Sequence, residues 1–131
     1  MWYNVIMGET EEHIKLALWL DNSDVFWLHV PNEGERTFNA SVLLKRMGLK
    51  KGAPDFLIFD PPPKQPNTRG LAIELKNAEG TGRRPKEQAA FLASLRARGW
   101  LAHFCDGYEE ARRLLLGLGY REGKIYELEV L

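Results

Sequence analysis

The sequence predicts an α/β fold in which a mixed β-sheet is flanked by helices. Helical patterns and apolar β-type runs alternate along the chain in the order helix, strand, helix, strand, strand, helix, strand, helix, strand. Such alternation places helices against the faces of a sheet. The one break in it, the strand pair within residues 55–76, is bridged by a long, proline-rich connector and reads as a hairpin.

The first helix spans Thr10 to about Leu20. Thr10 is placed to cap it, Glu11 and Glu12 suit the positive end of the helix dipole, and Ile14, Ala17 and Leu18 form an apolar stripe. Asp21-Asn22-Ser23 ends it. Val25 to Val30 is rich in β-formers and stops at Pro31, which predicts a buried strand. Phe38 to Met47 follows as a short helix closed by Gly48. The hairpin strands are Asp55 to Phe59 and Leu71 to Lys76. Between them, residues 60–70 carry prolines at 61, 62, 63 and 66, cannot donate a ladder of amides, and must form an exposed loop. Pro85 opens a helix running to about Arg98, at a first-turn position where its missing N–H is harmless, and Gly99 ends it. Trp100 to Cys105 is a strand, Tyr108 to Leu116 a helix, and Lys124 to Val130 a weaker final strand.

Composition narrows the function classes. At 131 residues the chain has room for one domain, residues 1–131, around one core. Lys plus Arg and Asp plus Glu both number 18, so any nucleic-acid-binding face must be local rather than a property of net charge. The one cysteine, Cys105, excludes an internal disulfide and points to a reducing, cytoplasmic setting, and its place on an apolar strand predicts a buried, inert thiol. His13, His29 and His103 lack zinc-ligand spacing; the last two read as strand residues with local partners. The four tryptophans read as core or interface. The first ten residues lack a basic region followed by an apolar run, and no stretch is long and apolar enough to span a membrane, so neither export nor insertion is expected.

Charge inside the hairpin strands is the informative feature. Leu71-Ala72-Ile73-Glu74-Leu75-Lys76 is apolar except at Glu74 and Lys76, which share a face with Ala72 while Leu71, Ile73 and Leu75 point to the core. Asp55 opens the preceding strand and, depending on register, lies beside Glu74. Two carboxylates so placed repel unless a cation neutralises them. Oxygen ligands suit Mg²⁺ or Mn²⁺, which keep waters and bind phosphate. Such an ion polarises a phosphodiester and lowers the pKa of water, and Lys76 is placed to orient that water and stabilise developing negative charge. On spacing alone, the same residues also describe a solvated strand face with Asp55 capping a turn after Pro54.

Several ordered motifs lift the first reading over the second. Met47-Gly48-Leu49-Lys50-Lys51-Gly52-Ala53-Pro54-Asp55, then Ile73-Glu74-Leu75-Lys76, then Gln88 twelve residues after the lysine, resemble the VRR-NUC group of the PD-(D/E)XK nuclease superfamily. So do Val30-Pro31-Asn32-Glu33-Gly34 and the Thr10-Glu11-x-x-Ile14 start, so the resemblance spans about Thr10 to Tyr120. It implies a restriction-endonuclease-like fold and a Mg²⁺- or Mn²⁺-dependent endodeoxyribonuclease. Asp55 and Glu74 would hold the metal with the Leu75 carbonyl, Lys76 would be the catalytic lysine, and Gln88 would lie near the scissile phosphate. Glu11 would be the supporting acid of the first helix, since it shares a face with Ile14 and Leu18, with Glu12 as the alternative. The family's Val-Arg-Arg signature has no counterpart here, and Arg83-Arg84 does not supply one. Compact members resemble Holliday-junction resolvases, which implies branched DNA as substrate and a homodimer for paired cuts. Larger relatives imply flap cutting, and a non-cutting nucleic-acid-binding module is the contrasting class.

Basic residues flank the presumed site. Lys45, Arg46, Lys50 and Lys51 precede Asp55, and Arg83, Arg84 and Lys86 follow Lys76, a distribution that suits a rim gripping phosphates. Gly80-Thr81-Gly82 lends freedom to the second group. Asn32, Glu33, Gly34 and Arg36 form a polar loop, either a substrate contact or a plain turn.

Overall fold

The computed structural model describes residues 2–31 and 37–124, with side chains from Thr10 onward. The polar loop of Asn32 to Arg36 and nearly all of the expected final strand lie outside the described residues, and Lys124 itself is not in a strand. The elements are α1 (Trp2–Asn22), β1 (Trp27–His29), α2 (Phe38–Arg46), β2 (Phe56–Ile58), β3 (Leu71–Lys76), α3 (Lys86–Ala97), β4 (Leu101–Asp106) and α4 (Tyr108–Gly117). The fold is the expected mixed sheet flanked by helices. The sheet runs β1-β2-β3-β4, antiparallel across the first two pairs and parallel between β3 and β4.

Alternation along β3 explains the two layers. Leu71, Ile73 and Leu75 face one core with Leu16, Trp19 and Leu20 of α1 and Ala111 and Leu115 of α4. Ala72 faces the other way and clusters with Leu92 of α3 and Ala102 of β4. Both faces of the central strand are therefore covered, and its polar residues are enclosed by the same packing that buries its apolar ones.

Three details depart from the sequence expectation. α1 begins before Thr10, so that residue lies inside the helix rather than capping it. The inward stripe of α1 is Glu12, Leu16, Trp19 and Leu20, whereas Ile14 is exposed and Ala17 and Leu18 are half-buried. β1 is a three-residue strand at the edge of the sheet among the described residues rather than a buried one, with Phe26 outside it and 71% exposed. The edge position needs only one apolar face, so β-propensity overstated its length.

Helix ends follow local chemistry. The Asn22 amide donates to the Leu18 carbonyl at 2.7 Å and the Ser23 hydroxyl to the Trp19 carbonyl at 2.9 Å, satisfying last-turn acceptors of α1. The Thr37 hydroxyl accepts from Ala40 N–H at 3.1 Å at the start of α2. Pro85 sits at the N-cap of α3, one residue before its first turn.

Candidate active site

The hairpin register decides where the carboxylates fall. Phe56 pairs with Ile73, Leu57 with Ala72 and Ile58 with Leu71. Extending that ladder by one residue sets Asp55 opposite Glu74. Both are enclosed, at 7% and 4% exposure. One Asp55 oxygen, Oδ2, accepts the Leu75 N–H at 2.8 Å, which ties the acid to the backbone of the neighbouring strand. The Lys76 carbonyl accepts from Gly107 N–H on the β4 side at 2.9 Å. Strand carbonyls alternate in direction, so that of Leu75 faces the Asp55 side.

Lys76 shares the α3 face with Glu74. Its Nζ lies 3.9 Å from Glu74 Oε2 and donates a 2.6 Å hydrogen bond to Gln88 Oε1. Gln88 belongs to the first turn of α3, and that helix reaches Lys76 because Ala72 and Ala102 are small. Asp55, Glu74, Lys76 and Gln88 thus lie together, joined by backbone and side-chain contacts at one end of the sheet. The Leu75 backbone lies among them.

Glu11 does not join them. Its side chain is 63% exposed and approaches Lys15 at 3.8 Å, whereas that of Glu12 is only 17% exposed. Glu12 Oε1 accepts the Tyr108 N–H at 2.9 Å, capping α4. The face assigned from Ile14 and Leu18 is the outer one, and this corrects the inward placement expected of Glu11. Gly107, next to that cap, has φ +90°, and a Cβ there would come within 2.8 Å of the Ala78 Cβ and 2.9 Å of Glu12.

Sequence reasoning passed over His13, whose Nε2 stands 3.8 Å from Asp55 Oδ2. His29 Nδ1 lies 2.9 Å from the Asp55 carbonyl, and the two imidazoles meet edge to face, so Asp55 is braced by α1 and β1 together. The helical spacing of Glu12 and His13 with Leu16 and Trp19 was the signal that could have found them. His103 lies on β4, where burial lowers its pKa and Arg96 lowers it further. Cys105 is buried as expected, and desolvation, followed by Glu110 and Asp106, pushes its thiol up to about 12.

The basic residues divide. Arg84 pairs with Asp106 at 3.1 Å and stacks over the Phe104 ring at 4.8 Å, beside Lys76. Arg83 and Lys86 are exposed at the lead into α3. Lys50 and Lys51 project from the loop after α2, where Lys51 approaches Glu87 at 3.6 Å. The Glu87 backbone N–H, and after it Lys51, hold that carboxyl below its ordinary range. The loop packs closely on α3: Gly52 has φ +88°, and a Cβ there would lie 2.5 Å from the Glu87 carbonyl oxygen.

Among the described residues no group of three or more His, Cys, Asp or Glu side chains gathers to hold a metal. Two enclosed carboxylates and a carbonyl suit a hard ion that keeps several of its waters, as Mg²⁺ and Mn²⁺ do. Among the described residues, no helix is long and apolar enough to cross a membrane.

Compared with known proteins, the chain matches no family profile and no curated protein. Among solved structures it is similar to a protein described as a VRR_NUC domain protein, with a TM-score of 0.64 and 20% identity, covering 92% of this chain and 97% of that one. At that identity the likeness is one of fold.

Proposed function

We propose that this protein is a metal-dependent nuclease of the VRR-NUC family that hydrolyses DNA phosphodiesters. The observation that carries the reading is the hairpin that ties the Asp55 carboxylate to the Leu75 N–H, next to Glu74 and one residue before a lysine held by a glutamine. A fold shared with a VRR_NUC domain protein supports it.

On this reading Asp55, Glu74 and the Leu75 carbonyl hold Mg²⁺ or Mn²⁺. The bound ion supplies Lewis-acid polarisation of the phosphodiester and a lowered pKa for water. The protein's own groups do the rest. The Leu75 N–H orients Asp55 through Oδ2, leaving Oδ1 as its second acceptor. Lys76 Nζ orients the attacking water and stabilises charge growing on the phosphate oxygens, worth about 10²–10³-fold in rate for one such donor. Gln88 holds Lys76 in place. The water oxygen bonds to phosphorus as one ester P–O bond breaks, the water gives up a proton to solvent and the leaving oxygen takes one from solvent, without a covalent enzyme intermediate.

Branched DNA is the proposed substrate. A four-way junction is nearly two-fold symmetric, so resolving it takes a homodimer with matched sites, whereas a flap takes one site. Labelled junction, flap, linear and single-stranded DNA, each incubated with and without Mn²⁺, test the proposal. Cutting is expected only with metal, and is lost in Asp55→Ala and Lys76→Ala while binding persists. Tight binding with no cutting in any divalent metal would replace the enzyme with a non-cutting module. A solution mass near twice the chain's 15.0 kDa is expected of a junction resolvase.

A further inference from the structure

We infer that a groove beside the candidate cleavage site holds an unpaired strand of nucleic acid, with bases against Leu49, Pro85 and Phe91 and phosphates against Lys45, Lys50 and Lys51. The inference rests on the nuclease reading for its substrate and adds which DNA that site selects.

Two adjoining hollows of about 410 Å³ each lie between the loop after α2 and the outer face of α3. Lys45, Leu49, Pro85 and Gln88 line the first, Lys50, Ala90, Phe91 and Ser94 the second, and Lys51 and Glu87 line both. Gln88 is the link to the chemistry, since it also holds Lys76 at 2.6 Å. The groove therefore begins one side chain from the cleavage site. Glu87, Ala90, Phe91 and Ser94 follow helical spacing, so it continues along one face of α3.

Size and lining select the occupant. Each hollow lies at the low end of the range for small-ligand sites, about 300–1,000 Å³, and suits roughly one nucleotide. A duplex does not enter, because its stacked, paired bases offer no free face to a wall. Three lysines against one carboxylate attract a polyanion, and Lys51 already shields that carboxylate at 3.6 Å. Phosphate grips interleaved with an aromatic ring and apolar walls are the requirements of single-strand binding. A splayed arm or flap fits this arrangement, and a fully paired four-way junction does not.

Binding measured apart from cutting tests the inference. In a Lys76→Ala background, fluorescein-labelled oligothymidine is titrated by anisotropy beside a duplex of equal length. Phe91→Ala is expected to weaken single-strand binding about tenfold, as loss of one base–aromatic stack does. Lys50→Glu is expected to weaken it severalfold, more so at low salt. Phe91→Trp should keep the affinity, and the indole emission it adds should be quenched by the bound strand. The inference is overturned if Phe91→Ala binds like its parent with its circular dichroism unchanged, if the emission added by Phe91→Trp is unquenched, or if the duplex is affected equally. Should Phe91→Ala not fold, Lys50→Glu and Phe91→Trp decide. Phe91-dependent strand binding without metal-dependent cutting sinks the nuclease reading alone, and cutting without that dependence sinks the groove alone.

Discussion

Asp55 has two separable duties, and two substitutions divide them. Its Oδ2 accepts the Leu75 N–H at 2.8 Å in a site where only 7% of the residue is exposed. Asp55→Ala leaves that buried donor without its partner, a loss of about 1–3 kcal/mol. For a domain of this size that lowers Tm by roughly 3–10 °C. Asp55→Asn keeps an acceptor for the same N–H and removes a buried negative charge, so without metal it should lose clearly less stability than Asp55→Ala. Metal reverses the order. At a free Mn²⁺ concentration of 100 Kd the wild type gains about 2.7 kcal/mol, and a variant with one metal-binding carboxylate has little to gain. Calorimetric or fluorescence melts of the three proteins, with and without Mn²⁺, read both duties with no DNA present. An Mn²⁺-induced rise in Asp55→Asn equal to that of wild type would refute the metal role, and an apo loss as large as that of Asp55→Ala would refute the hydrogen-bond account.

Other outcomes follow from the same geometry. Lys76→Ala should lower kcat about 10²–10³-fold while keeping the Mn²⁺-induced rise in Tm, and loss of that rise would make Lys76 a prop for the carboxylates instead. Glu12→Ala, by uncapping Tyr108, should cost about 1 kcal/mol in urea melts, and Glu11→Ala less than about 0.5 kcal/mol; the reverse order would contradict the face assigned to α1. Cys105 holds its proton more tightly when folded, up to about 12 against an ordinary 9.0, so its contribution to stability is complete below pH 9 and is lost as pH rises towards 12. Each unit of that window removes up to about 1.4 kcal/mol from this group, and Cys105→Ala should flatten the loss between about pH 9 and 10.5 in urea melts.

The central hairpin could be read before any coordinates because its signals agree. In Leu71 to Lys76 every apolar residue but one sits on the core face, and the proline-rich connector admits no strand, so period and punctuation give one answer. Asp55, Glu74 and Lys76 stand out on that hairpin as its polar residues, whereas Gln88, which accepts from Lys76, is nominated only by the family resemblance. α1 misled for the opposite reason. Ile14 and the unbroken run Leu16-Ala17-Leu18-Trp19-Leu20 spread apolar side chains around most of the helix, so several stripes fit equally well. Only docking against Leu75 and Leu115 selects Glu12 over Glu11. Helical spacing marks His13 as inward, but not what it meets, because its neighbours Phe56, His29 and Asp55 are far away in the chain. The strand at Val25 to Val30 shortens to Trp27–His29 because its flanks leave the ladder, the Phe26 N–H turning to the Asp60 carboxylate instead of a strand carbonyl.

The bare methyl groups at Ala72 and Ala102 act as a spacer. Neither carries any chemistry, yet the thickness of that layer sets how far α3 stands from the sheet, and so whether the amide of Gln88 reaches the ammonium of Lys76. A contact of 2.6 Å has no slack to absorb a bulkier layer. A valine in place of either alanine would lift the helix like a shim under a hinge, loosening the lysine without touching it.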